Sequence, residues 1–254
     1  MNSIRLFIDC LITQQEIQEY CAFLHELLET EITVSAFAEL IENEDAMLRL
    51  ARTLAEIRVT QLDNQELNAT VFPVEIEYEK NHLFNSQKSS QCLYSGYEYQ
   101  NILRKEWPSH FAQKNILSIV LTDRRFLTWE TDCRYHLRTV ILGYPCILSR
   151  VGIVEAPAKP KEYYLLKHIG ASIELQNWLS ANRHRYLELE DTRMTEVIKG
   201  YLFQCFYFWI HYDNEFCDNS NCVLYNSHWQ EEVLNAQFNH YLCPKHQLDK
   251  IPLS

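Results

Sequence analysis

Three cysteines and one histidine near the C-terminus fall into two close pairs, Cys217-Asp-Asn-Ser-Asn-Cys222 and Cys243-Pro-Lys-His246, with 20 residues between the pairs. Thiolate and imidazole donors in two short-spaced pairs suit a tetrahedral zinc ion, because each pair can supply one edge of the tetrahedron and the longer loop brings the edges together. Such a site obliges everything from about residue 211 to residue 254 to arrange itself around one point. Four protein ligands leave no coordination position for water or substrate, so the expected cofactor is one structural Zn2+ per chain, held by Cys217, Cys222, Cys243 and His246. The competing reading is that these are buried free thiols, since cysteine often serves simply as a small hydrophobe.

The chain holds nine cysteines, an odd number. The N-terminal stretch lacks the long apolar run and small-residue cleavage site of a secretory signal, so a cytoplasmic, reduced protein is expected. Cys10, Cys21, Cys92, Cys133, Cys146 and Cys205 have no partner nearby in sequence and are expected to be buried. A formal net charge of −11 would repel a phosphate backbone, which disfavours nucleic acid and leaves an unidentified protein or peptide as the expected partner. No apolar run reaches the ~18 residues that spanning a bilayer requires, so no membrane partner is expected.

Periodicity along the chain predicts a mixed α/β fold. Ile4 to Ile8 reads as a short strand, Thr13-Gln-Gln-Glu16 has capping-box spacing before a helix, Ile32 to Val34 is a second strand, and Asp45 to Ile57 repeats apolar residues at helical spacing. From 61 to 110 the pattern becomes irregular, as an insertion would. Order returns with a buried strand at Asn115–Thr122, a strand at Tyr135–Leu142, a turn at Gly143-Tyr-Pro145, and an antiparallel return at Cys146–Ser149. Pro157 and Pro160 break regular structure, helices follow from Glu162 and from Ile173, and Asp191 to Glu196 starts a helix whose continuation, Val197 to Ile210, is apolar nearly all round, as a buried helix is. With no linker-like stretch, 1–254 reads as a single domain that includes the 61–110 insertion and ends in a zinc-binding segment at 211–254.

Between the two ligand pairs, Ser227 is placed to cap a helix whose first turn holds Glu231 and Glu232. His228 and Glu231 have the spacing of a metal-binding pair but no third ligand, and His25-Glu-Leu-Leu-Glu29 lies on a helix with no downstream ligand. Nucleophile-elbow, phosphate-loop and dinucleotide motifs are absent.

The segment from Cys217 onward resembles the second metal motif of the archaemetzincins, zinc metallopeptidases with a cysteine pair at this spacing, a Met-turn and a later Cys-x-x-Cys, of which His246 replaces the last cysteine. Ile116 to Arg150 is similar to that family's central sheet, so the resemblance covers roughly 115 to 246. The phrases Arg134-Tyr-His, Ile141-Leu-Gly-Tyr-Pro145, Gly152-Ile-Val-Glu-Ala-Pro157 and His228-Trp-Gln-Glu-Glu232 look like a group described as putative metallopeptidases. The resemblance implies a metzincin-like sheet flanked by helices. It also implies a His-Glu-x-x-His helix and a third histidine just before the first cysteine, and here the chain departs from it. Those ligand positions hold Phe206, Ile210 and Phe216, and the Met-turn position holds Leu224.

Three functions are therefore expected. One is a metallopeptidase-like scaffold that keeps the structural zinc and lacks the catalytic one. Another is an active hydrolase with a rearranged site built from His211, Asp213 and Glu215, with distant groups such as His136 or His168. The last is a zinc-ribbon-like adaptor for a partner.

Overall fold

The computed structural model describes residues 3–68, 70–84, 91–212 and 216–247, without the Phe84 side chain. The chain divides into two compact units, Met1–Gly152 and Ile153–Ser254. Both mix apolar periodicities with the caps and turns that end them, and the class is mixed α/β.

In the first unit, β1 (Ser3–Asp9) leads into α1 (Gln14–Leu27), β2 (Ile32–Ala36), a 3-10 turn at Phe37–Leu40 and α2 (Glu44–Glu56). The expected capping box is present: the Thr13 hydroxyl accepts the Glu16 N–H at 3.2 Å, and the Glu16 carboxylate accepts the Thr13 N–H at 2.7 Å. Asn43 does the same for α2 by accepting the Ala46 N–H, satisfying an amide that the helix itself leaves open. The stretch 61–110 departs from expectation. Its described residues form α3 (Pro73–Phe84), β3 (Leu93–Ser95), α4 (Gly96–Glu106) and α5 (Pro108–Phe111).

The remaining elements are β4 (Ile116–Thr122), β5 (Arg125–Trp129), β6 (Tyr135–Arg138), β7 (Val140–Ile141), β8 (Cys146–Ser149) and α6 (Arg150–Glu155), which runs across the boundary between the units. One sheet has the order β2-β1-β4-β8-β7 and a smaller one the order β3-β5-β6. β1 runs parallel to β2 (Ile4 opposite Ile32) and to β4 (Ser3 opposite Ile116), β8 is parallel to β4, and β7 is antiparallel to β8. Every residue of β4 is buried, as a central strand of a parallel sheet covered on both faces must be. The run Tyr135–Leu142, expected as one strand, is two: β6 pairs with β5 in the small sheet and β7 with β8 in the large one. Phe7, Phe37, Leu50, Leu54, Tyr99, Leu103, Phe111 and Val120 belong to one buried apolar cluster.

Sequence reading gave no sign of a charged cluster buried in this unit. Glu79 on α3 is fully buried and accepts from Arg58 at 2.6 and 2.8 Å, from Tyr94 Oη at 2.8 Å and from Arg124 at 3.1 Å. Arg124 also donates to Asp9 at 3.1 Å, and the Thr122 hydroxyl donates to the same Asp9 oxygen at 2.9 Å. Burial works against the Arg124 cation, but Asp9, Tyr94 and Glu79 hold its pKa well above the ordinary arginine value. Each charge is thus hydrogen-bonded to an opposite one, the condition under which a low-dielectric interior tolerates ions.

The second unit holds α7 (Lys161–His168), α8 (Ser172–Ala181), α9 (Met194–His211), α10 (Gln230–Phe238) and α11 (Pro244–Gln247). On α9, Val197, Ile198, Tyr201, Leu202, Cys205, Phe206 and Trp209 are all buried, matching its all-round apolar sequence. Ser227 does not cap α10, which begins at Gln230. Instead the Glu232 carboxylate accepts the N–H groups of His228 (2.7 Å) and Trp229 (3.1 Å). Among the described residues no helix is long and apolar enough to cross a membrane.

α9 and α10 touch at Gly200, where an added Cβ would lie 2.6 Å from the Gln237 carbonyl oxygen and 3.0 Å from its Cα. Alanine would gain ~1 kcal/mol of helix propensity, but relieving a backbone clash costs about 1–3 kcal/mol and larger side chains cost more. Gly200→Val is therefore expected to lower the thermal midpoint of this unit by about 5 °C or more, read by circular dichroism. An unchanged midpoint would show that the helices separate without cost.

Candidate metal centre

The C-terminal cluster is built on backbone that other parts of its unit hold in place. The Val223 carbonyl accepts two buried side-chain amides, Gln204 of α9 at 2.7 Å and Gln237 of α10 at 3.0 Å. The Val223 N–H donates to the Tyr241 carbonyl at 2.7 Å, and the Cys217 N–H to the Leu224 carbonyl at 2.9 Å. Cys222 is thereby fixed against both helices, and the chain before Cys243 is tied to the chain after Cys222. One turn of α11 then carries His246 back over Cys243, with the His246 N–H donating to the Cys243 carbonyl at 2.9 Å.

The ligand atoms of Cys217, Cys222, Cys243 and His246 all lie within 4.8 Å of one another, and all four residues are buried. Cys217 Sγ and Cys243 Sγ are 3.7 Å apart, Cys222 Sγ is 3.6 Å from His246 Nδ1, and Cys243 Sγ is 3.2 Å from the same nitrogen. Zinc bonds of about 2.3 Å to sulfur and 2.0–2.1 Å to nitrogen, set tetrahedrally, require edges of about 3.8 Å between sulfurs and about 3.6 Å between sulfur and nitrogen. The donor set and its spacing fit that ion. The Asn219 N–H donates to Cys217 Sγ at 3.3 Å.

Burial pushes the Cys222 thiol up to about 11. For Cys243 burial acts in the same direction, but the His246 N–H and the neighbouring thiols outweigh it and hold the group below the ordinary thiol value. Phe203, Tyr207 and Leu242 pack against the cysteines, and the Tyr207 ring meets the His246 ring edge-on at 5.6 Å between centroids.

The other residues singled out in the sequence do not converge. His211 ends α9 with its ring 4.2 Å from that of Tyr207, while Asp213 and Glu215 lie outside the described residues. Exposed His136 of β6 pairs with Asp132 of the preceding turn at 2.9 Å, and His168 is exposed in the last turn of α7. His228 precedes α10 and Glu231 pairs with Arg185 at 2.6 Å, so they form no metal pair. His25 and Glu29 are exposed, and the His25 ring contacts the Thr30 carbonyl at the end of its own helix. Of the cysteines expected to be buried, Cys10, Cys146 and Cys205 are, Cys21 and Cys92 are partly so, and Cys133 is exposed. Cys133 sits at φ 57° in the turn between β5 and β6, a position chosen by turn geometry, where no core is available to it.

No curated protein matches the chain. Among solved structures, it is similar to a zinc-dependent peptidase from Methanocorpusculum labreanum (strain Z), at 12% identity, over 96% of this chain and 98% of that one, with a TM-score of 0.49. A likeness of that size carries no activity across. A sequence model described as "Probable metallopeptidase family" matches residues 1–250.

Proposed function

Because the chain belongs to this probable metallopeptidase family over nearly its whole length, we propose that it is a metallopeptidase scaffold of archaemetzincin type. In this reading it keeps one structural zinc, on Cys217, Cys222, Cys243 and His246, and has lost the catalytic one. A zinc ion held by four protein atoms crosslinks its segment and has no open position for a nucleophilic water. What remains for such a scaffold is to bind or regulate a protein or peptide.

The observation that carries the loss of catalysis is the occupancy of α9. Of the positions where the resembled family holds its catalytic ligands, Phe206 is 1% exposed with its ring against Phe203 and Trp209. Ile210 lies one turn further on, and Phe216 is 42% exposed. None of these side chains has a donor atom to offer a metal. The family's general-base position, one residue after the first histidine, is Tyr207, which here covers the cysteine cluster.

A second reading, an active hydrolase with a relocated site, is favoured by one feature. His211 Nε2 is buried and has no hydrogen-bond partner among the described residues, as an imidazole awaiting a metal or a proton would be. Elemental analysis of the untagged protein, before and after a mild chelator, separates the two. About one zinc per chain that resists the chelator, with no metal-dependent cleavage of an unfolded protein substrate, is the expected result. A second, readily lost ion that restores cleavage when returned would overturn it in favour of the relocated site.

A further inference from the structure

We propose that the Cys3His cluster is also a redox switch for its own metal, in which a hydroperoxide joins Cys217 to Cys243 as a disulfide and expels the ion. This inference rests on the structural-zinc reading above. It goes further by assigning the cluster a chemical response.

The geometry distinguishes the sulfurs. Cys217 Sγ and Cys243 Sγ are in direct contact at 3.7 Å; Cys222 Sγ also neighbours Cys243 but has the His246 nitrogen beside it at 3.6 Å. The backbone adds to the distinction. Cys222 is fixed between α9 and α10 through the Val223 carbonyl, while Cys217 and Cys243 lie on the two chain segments that flank this anchor. Cys217 is followed by exposed Asp218, Asn219 and Ser220, and Cys243 by exposed Pro244 and Lys245, so a small opening of either segment admits a molecule the size of hydrogen peroxide. Cys146 and Cys205 are buried as well, yet among the described residues neither belongs to a group of converging ligand atoms.

The chemistry balances without a further reactant. One thiolate attacks the peroxide oxygen, breaking the O–O bond and becoming a sulfenic acid as hydroxide leaves. The second thiolate then attacks that sulfur, forming the S–S bond and releasing a second hydroxide, which takes up a proton as water. Two electrons pass from the two sulfurs to the peroxide, and zinc stays divalent throughout. With two of four donors withdrawn, Cys222 and His246 retain too few bonds to hold the ion, because a structural site depends on all four.

The test uses the full chain loaded with zinc, titrated with hydrogen peroxide beside a chromogenic zinc reporter, with peptide mapping by mass spectrometry after alkylation. One zinc released per peroxide consumed, a Cys217–Cys243 crosslink, and recovery of the bound ion on adding dithiothreitol and zinc are expected. A chain isolated without zinc overturns the metal reading itself. A loaded chain that keeps its ion while exposed Cys133 oxidises, or one whose crosslink contains Cys222, overturns the switch and leaves the metal reading standing. Cys146→Ser serves as the control and is expected to release zinc as the parent does.

Discussion

Cys243→Ser is expected to leave the purified chain with no chelator-resistant zinc and with its C-terminal segment open to protease. Cys243 Sγ is the sulfur that touches both Cys217 (3.7 Å) and His246 (3.2 Å), so its loss removes the donor at the centre of the cluster. Structural zinc contributes roughly 10–16 kcal/mol in small zinc-finger peptides, against about 5–15 kcal/mol for the stability of a whole domain. The second unit retains the α9–α10 contact without the metal, so the damage should concentrate in the loops around 217–225 and 239–247. Even ~3 kcal/mol lost there raises the population of the opened segment about a hundredfold. Limited trypsin digestion, cutting at Lys245, reads that opening directly. Zinc content equal to the parent's would refute the ligand assignment. Cys217→Ser is expected to behave alike, and Cys146→Ser, whose thiol donates to the Gly143 carbonyl in the other unit, should retain its zinc.

In the first unit the largest expected effect belongs to Glu79→Ala. This carboxylate is fully buried and takes hydrogen bonds from Arg58, Arg124 and Tyr94. Its removal leaves two guanidinium groups short of an anion in a medium that cannot solvate them. Breaking one side of a buried ion pair costs about 3–5 kcal/mol, although Glu75 still reaches Arg58 (3.3 Å) and Asp9 still holds Arg124 (3.1 Å), which argues for the lower half of that range. Native-state amide exchange in β1 and β4 measures this unit alone, and those amides should exchange about a hundredfold faster or more. Glu79→Gln keeps an acceptor but not the charge and should fall between. Exchange within a factor of two of the parent would show that the cluster adds nothing to stability.

That buried carboxylate also explains why 61–110 was illegible in the sequence. Glu75-Ile-Glu77-Tyr-Glu79 looks like the period-two alternation of a strand, yet it lies in the first half of α3, whose inward positions include Glu79 and Leu83. Hydrophobic periodicity cannot recognise a helix that turns a charge to the core. The partners that make Glu79 acceptable, Arg58 and Arg124, are 21 and 45 residues away in the chain. Where the core-facing residues are apolar, as in β1, α2, β4 and α9, pattern and structure agree. Thr13 with Glu16 marked the start of α1 because a cap is a local interaction. Within Tyr135–Leu142 the alternation was real, but a period of two says nothing about which sheet a residue joins. The candidate ligands were legible for the opposite reason: metal-binding side chains are chemically distinctive, and paired spacing needs no knowledge of the fold.

The doubly accepted Val223 carbonyl has a kinetic consequence. With Gln204 and Gln237 both bonded to it, the turn carrying Cys222 is already ordered in the chain without metal, as one jaw of a clamp. The other jaw is the short stretch from Tyr241 to His246. Capture of the ion then requires only that this second jaw close, so reloading should follow the fluctuation of a few residues and proceed far faster than folding of the unit.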